Sequence, residues 1–329
     1  MAKPKIGLCL PTFAGASAWD LTLSFETMKS IIRTSEALDF DSLWVADHLT
    51  MGHDSQILEA WTVLAAASQF TERMRIGTLV ACASHRPPTL LAKMAATLDV
   101  ISNGRLELGL GAGWRGSEQV SYGLPWESSF KERLHRLTET VEIIKGMWTN
   151  QNFTYTGKYY QVNNAICEPK PIQKPHPRIW LGGSGEKWLL NTTAKYADGW
   201  NVGEIHPEEY ARKLNVLRAH CNSHGTDYDH IEKSLETIVL ISEKPEDLEK
   251  TVRWSNWFAT VQAETREMKP ATGNLQNLKQ QYILGSLPDV TERTAEYVKA
   301  GVQHFMIYFL DYPSTNSMKA FAKQVVPSL

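Results

Sequence analysis

The chain lacks most of what would tie it to a membrane, a nucleic acid or an oxidising compartment. It has four cysteines in 329 residues, Cys9, Cys82, Cys167 and Cys221, and no C-x-x-C pair. Thiols so far apart support neither a disulfide framework nor a structural zinc site, and they suit a reduced, cytoplasmic protein. No apolar run approaches the roughly 20 residues that cross a bilayer. The opening MAKPKIGLCLPTF has no long apolar core and no small-residue cleavage site, so it reads as a first strand rather than a signal peptide. Neither charge dominates: 34 Lys and Arg against 36 Asp and Glu leave a formal charge of −2. With no basic arm, nucleic acid and membrane are not expected partners. The P-loop and the G-x-S-x-G elbow are missing. His220 and His224 are four apart, but Cys221-Asn222-Ser223 lies between them without the glutamate of H-E-x-x-H. His48 and His53 are no better spaced, and no metal is expected.

What remains is an ordinary globular composition, 43% hydrophobic and 21% charged, arranged as a rhythm. Short β-rich runs at 5–13, 42–47, 75–82, 106–111, 178–181, 199–202, 234–242 and 304–310 alternate with helical stretches. The helix expected over 24–38 puts Phe25, Met28, Ile32 and Ser35 on one stripe. That over 130–148 spaces Phe130, Leu134, Leu137, Val141, Ile144 and Trp148 by threes and fours. Pro87-Pro88 suits a helix start, and Ser102-Asn103-Gly104 a turn into the next strand. Eight nearly continuous apolar strands, each followed by a helix, predict a parallel sheet closed on itself: a (β/α)8 TIM barrel as a single domain over 1–329. Two stretches break the rhythm and read as insertions, 149–177 (a hairpin, then prolines 169, 171, 175 and 177) and about 261–287.

In such a barrel, chemistry gathers where strands end. The second strand ends Val45-Ala46-Asp47-His48, and histidine exchanges protons near neutral pH. The third ends at Cys82, with His85 and Arg86 close in sequence; an inert pocket residue is the better reading than a catalytic thiol. The fourth runs into Gly109-x-Gly111-x-Gly113, whose glycines would let backbone approach a ligand. The fifth runs into Gly182-Gly183-Ser184-Gly185-Glu186-Lys187 ahead of a helical stretch, which suits an anion. Two glycine-rich turns at one mouth point to a cofactor bearing a phosphate.

These residues resemble the bacterial luciferase-like monooxygenase superfamily, in its branch dependent on coenzyme F420. The resemblance rests on DSLWVADH (41–48), RIGT (75–78), LLAKMAATLDVISNGRLELGLGAGW (90–114), PRIWLGGSGEK (177–187), YADGWN (196–201) and GVQHFMIYF (301–309), and covers nearly the whole chain. It implies a luciferase-like barrel that holds F420, or FMN, at its C-terminal mouth. It also implies a non-prolyl cis peptide at Leu79–Val80 forming a bulge behind the ring. By similarity to F420-dependent glucose-6-phosphate dehydrogenases, Asp47, Cys82, Ala112, Gly113 and Ser117 would contact the cofactor. Gly182, Gly183, Gly185 and Glu186 would hold its phosphate, and His48 would pass the proton. That group has a catalytic glutamate where this chain has Trp114; Glu118, the nearest carboxylate, is the candidate for a catalytic role beside His48. The departure argues against sugar-phosphate oxidation by that route.

Four functions remain open at this point. The first is an F420-dependent oxidoreductase moving a hydride to or from a small organic substrate. The others are an FMN-dependent monooxygenase, a barrel lyase or isomerase with a phosphorylated substrate, and a cofactor-binding protein without turnover. A homodimer is expected, as in the family.

Overall fold

The computed structural model describes residues 3–13, 24–51, 56–254 and 275–329. Strands run in chain order β1 (Lys5–Cys9), β2 (Ser42–Val45), β3 (Arg75–Thr78), β4 (Ala81–Cys82), β5 (Leu106–Gly111), β6 (Phe153–Thr156), β7 (Gln161–Ala165), β8 (Arg178–Gly182), β9 (Gly199–Gly203), β10 (Glu232–Ile241), β11 (Ile283–Gly285) and β12 (His304–Phe309). All but β6 and β7 pair in parallel, and the circuit β1-β2-β3-β5-β8-β9-β10-β12 closes on itself through Leu8 opposite Ile307. This is the expected (β/α)8 barrel. Strands such as HFMIYF are buried along their whole length because side chains alternate between two covered faces. In β10, Leu235 and Val239 join the cluster between sheet and helices, while Ile238 and Leu240 face inward with Trp44, Trp180 and Met306.

A polar and aromatic plug fills the N-terminal half of the barrel. Trp180 Nε1 donates to Glu107 at 2.5 Å and Trp44 Nε1 to Ser42 Oγ at 2.7 Å. His304 bridges Ser42 and Glu232 at 2.8 and 2.9 Å. Glu232 also accepts from Lys5 and Arg178, at 2.8 and 2.6 Å, so each buried charge is met by a partner. Room for a ligand is left at the other end.

The helices follow the sequence pattern closely. The first covers Phe25–Ala37 behind an Ser24 cap, and another begins at Pro88 and ends at Ile101. The helix Phe130–Thr149 buries Leu134, Leu137, Val141, Ile144 and Trp148 as expected, but Phe130 is half exposed, its ring lying under the Arg133 guanidinium instead. The first insertion is indeed a hairpin, β6 against β7.

The peptide Leu79–Val80 is cis, as the resemblance implied. Two expectations change. The third strand, expected unbroken over 75–82, is interrupted there: β3 stops at Thr78 and β4 resumes at Ala81. The second insertion is not wholly irregular. Residues 261–274 lie outside the described residues, but Leu275–Gln281 is helical and β11 pairs with Val239–Ile241 of β10. β10 is ten residues long, and β9 covers only Glu232–Glu236 of one edge. A three-residue strand capping the exposed remainder carries no periodicity to read, although an open edge calls for cover.

Candidate functional site

The C-terminal mouth opens on a cavity of about 370 Å³, within the ~300–1,000 Å³ usual for small-molecule sites. Asp47, His48, Leu79, Val80, Cys82, Gly113, Glu118, Gly182 and Gly183 all line it. Ala112, Ser117, Gly185 and Glu186 do not; Ala112 is buried beside it and Ser117 points to solvent.

The bulge forms one wall, and the glycine run of β5 exists to receive it. A Cβ on Gly109 would sit 2.1 Å from the Thr78 carbonyl oxygen. One on Gly111 would sit 2.6 Å from Val80 Cγ2, and one on Gly113, whose φ is +78°, 2.6 Å from Cys82 Sγ. Gly182 of β8 meets Val80 from the other side, at 2.9 Å. The alternating glycines thus make room for protein, while Gly111 and Gly113 also border the cavity. Cys82 is a buried pocket residue. Burial pushes its thiol up and outweighs the hydrogen bonds it makes with Ser84 and Gln119, so it stays protonated.

Asp47 is buried at 1% exposure and held by Arg86 through two hydrogen bonds, 2.7 and 3.0 Å. Arg86 reaches on to Glu59 at 2.7 Å. Sequence spacing placed Arg86 near Cys82; its partner is instead this carboxylate. His85 beside it is buried, with Nδ1 3.9 Å from Asp47 and neither ring nitrogen hydrogen-bonded. Burial holds His85 below the usual histidine range despite the nearby carboxylate, so it is neutral at neutral pH.

His48 is fixed from behind. Its Nδ1 lies 2.9 Å from Glu118 Oε2, while Glu118 Oε1 accepts from the backbone N–H of Leu49 and, at 3.1 Å, of Thr50. Burial works to raise the Glu118 pKa, but the His48 bond and the two N–H donors win, leaving it below the ordinary carboxylate range. An ionised Glu118 is an acceptor only, so His48 carries its proton on Nδ1 and presents Nε2 to the cavity. The Trp114 ring packs against His48 edge-on, centroids 5.4 Å apart. Four residues separate Trp114 from Glu118, one turn of chain, so an indole faces the cavity while the carboxylate holds the histidine.

The Gly182–Lys187 turn is tied down. Gly183, at φ +138°, donates its N–H to Asn201 and accepts from Trp200 Nε1, both at 2.9 Å. Glu186 faces away from the cavity. Hydrogen bonds from Arg212 and Lys213 draw its pKa down to about 2. A Cβ on Gly183 would lie 2.9 Å from Leu189 Cδ2 in a φ region that β-branched residues avoid. Gly183→Val should therefore weaken cofactor binding at least tenfold, about 1.4 kcal/mol, in an equilibrium titration. Unchanged affinity would move the anion site elsewhere.

Two carboxyl groups on the far wall had no sequence signal. Glu236 of β10 and Glu204, just beyond β9, both line the cavity. Burial and the neighbouring Glu204 push the Glu236 pKa up to about 8. Between roughly pH 4.5 and pH 8 the folded protein then holds a proton that the unfolded chain releases, so stability falls as pH rises through that window. Glu236→Gln should melt higher than the parent by roughly 2–4 °C at pH 9, a gain of about 1–2 kcal/mol, with the gap closing toward pH 5. A gap independent of pH would remove Glu236 as its cause.

The sequence signature of luciferase-like monooxygenases matches residues 5–304. The chain belongs to that family. An F420-dependent glucose-6-phosphate dehydrogenase of Microbacterium testaceum is 30% identical over 311 residues, covering 90% of each chain, and one of Amycolatopsis mediterranei is 27% identical over 90% of this chain and 92% of its own. Among solved structures, an F420-dependent secondary alcohol dehydrogenase bound to an F420–acetone adduct superposes with a TM-score of 0.83 at 20% identity, over 99% of both chains. A long-chain alkane monooxygenase reaches 0.84 at 15% identity, covering 100% of this chain and 91% of its own.

Proposed function

We propose that the protein is an F420-dependent oxidoreductase that moves a hydride between the deazaflavin and an organic substrate in the barrel mouth. The observation that carries this reading is His48, its tautomer set by Glu118, opening on a cavity walled by the Leu79–Val80 bulge. The F420-dependent relatives, alike over nine-tenths of the chain, support it. The residues fit a flat ring. The bulge offers a wall that the glycines of β5 and β8 hold from behind. Buried His85 has ring nitrogens without partners, as expected of a side chain awaiting a ligand. When bound, the deazaflavin supplies a carbon that carries hydride without activating oxygen.

The chain's own residues then divide the work. Asp47, locked by Arg86, and Gly113 border the cofactor space; Gly182 and Gly183 border its far end. Leu79 and Val80 fix the depth at which a ring can lie. His48 Nε2 holds or takes the proton that accompanies hydride transfer at a carbonyl or hydroxyl. Glu118 is a positioning residue: its two oxygens are spent on His48 and on two backbone N–H groups. Cys82 contributes shape rather than chemistry.

Equilibrium titration with F420 and with FMN, read by cofactor fluorescence, tests the reading. F420 should bind at least tenfold more tightly, and the reduced form should transfer hydride to an acceptor. Tighter binding of FMN, with oxygen consumption, would replace this reading with the monooxygenase one. Binding of neither would return the barrel to lyase or isomerase chemistry.

A further inference from the structure

The cavity has a second pole. In the circuit of eight strands, β9 stands half-way round from β2, and β10 follows it. Gly203 is in register with Glu236, and a Cβ on that glycine would lie 3.7 Å from Glu236 Oε2, so Glu204 and Glu236 are held close on adjacent strands. Glu204 Oε1 accepts from the Tyr282 hydroxyl at 2.8 Å. The other carboxylates at this mouth are matched, Asp47 by Arg86 and Glu118 by His48. Among the described residues neither Glu204 nor Glu236 pairs with a cation, and no lysine lines the cavity. Arg115, which does line it, gives its guanidinium to the Thr50 carbonyl. Burial first, and then the nearness of Glu204, push the Glu236 pKa up to about 8, and burial raises that of Glu204 as well, so two carboxyls with no cation beside them share this wall. The aromatic rings of Phe13 and Tyr308, in edge contact at 6.4 Å, flank the same space. His85, more than nine-tenths buried and without a hydrogen-bond partner on either ring nitrogen, lines the same cavity on the opposite wall, beside Asp47.

We propose that Glu204 and Glu236 recognise the substrate, and that this substrate carries a cationic nitrogen, an ammonium, docked between the two carboxyls. An uncompensated carboxyl pair in an apolar wall is costly to bury, and a cation is what offsets that cost. Aromatic faces at the same place favour the same charge. A phosphate or carboxylate brought there would meet repulsion instead. The assignment rests on the hydride-transfer reading for its chemistry, though not for its binding. The nitrogen is a docking group that keeps its charge, and hydride would be exchanged at a carbonyl or hydroxyl carbon of the same molecule. There the C–H bond forms as the C=O π pair moves onto oxygen, which takes its proton from His48 Nε2, and the reverse reaction returns both.

Calorimetric titration of the full-length protein with four probes tests the pole: cyclohexylamine, cyclohexanol, cyclohexanecarboxylate and glucose 6-phosphate. Cyclohexylamine should bind at least tenfold more tightly than each of the others. Glu204→Gln and Glu236→Gln should each cost that preference about tenfold, and together abolish it, with F420 affinity unchanged. Tightest binding by the carboxylate or the sugar phosphate, equal binding of all four, or binding of none overturns the proposal, and those arms need no variant to fold. A preference that survives in a folded double variant overturns it as well. Amine selectivity without F420 binding would support the pole and overturn the cofactor reading. F420 binding without amine selectivity would do the reverse.

Discussion

Replacing His48 by alanine should cut turnover by roughly 10²–10⁴-fold while changing F420 affinity less than about threefold. The expectation follows from where the imidazole sits. Glu118, itself held by two backbone N–H groups, anchors its back edge, and only Nε2 is offered to the cavity. Its removal takes away a proton route and little binding surface, because the wall that receives the ring is the Leu79–Val80 bulge. Single-turnover kinetics set beside an equilibrium titration separates the two effects. Loss of affinity in step with turnover would make His48 a cofactor anchor. Unchanged turnover would remove it from the proton path altogether.

Breaking the Asp47–Arg86 pair should have the largest effect on stability. Asp47 is 1% exposed and its two oxygens take both Arg86 donors. Arg86→Met would strand a buried carboxylate, at a cost of about 3–5 kcal/mol. For a chain of this size that is roughly 6–10 °C in Tm. Asp47→Asn in the same background should recover much of the loss, because a neutral amide no longer needs the guanidinium. A double-mutant cycle on melting temperatures and F420 affinity measures the coupling. Additive losses would show that the two side chains contribute independently, against the geometry.

Much of this site was legible because barrels place function at strand ends and because an eight-fold alternation is hard to produce otherwise. Asp47, His48 and the two glycine-rich turns could be found by looking where β2, β5 and β8 stop. What the glycines of β5 do could not. Their chemistry suggested space for a ligand, but the contact that matters runs from Gly109 and Gly111 across the sheet to Thr78 and Val80, a distance of some thirty residues in sequence. The role of Arg86 was hidden for the same reason: four residues from Cys82 along the chain, it pairs in space with Asp47. Glu204 and Glu236 left no trace at all. Each is one acidic residue in or just past an otherwise ordinary strand, and only closure of the barrel brings them together. β11 was lost to brevity, three residues whose role is to cover an edge that β9 leaves bare.

The seating of Val80 has a practical corollary. Its isopropyl group is clasped between glycines of two different strands, Gly111 and Gly182, so no larger residue fits at either without pushing the sheet apart. That side of the mouth offers little freedom to anyone wishing to alter what the protein accepts. Trp114, Glu204 and Glu236 stand on other strand ends and take no part in that clasp. Libraries aimed at new selectivity should be spent there and leave the glycine side untouched.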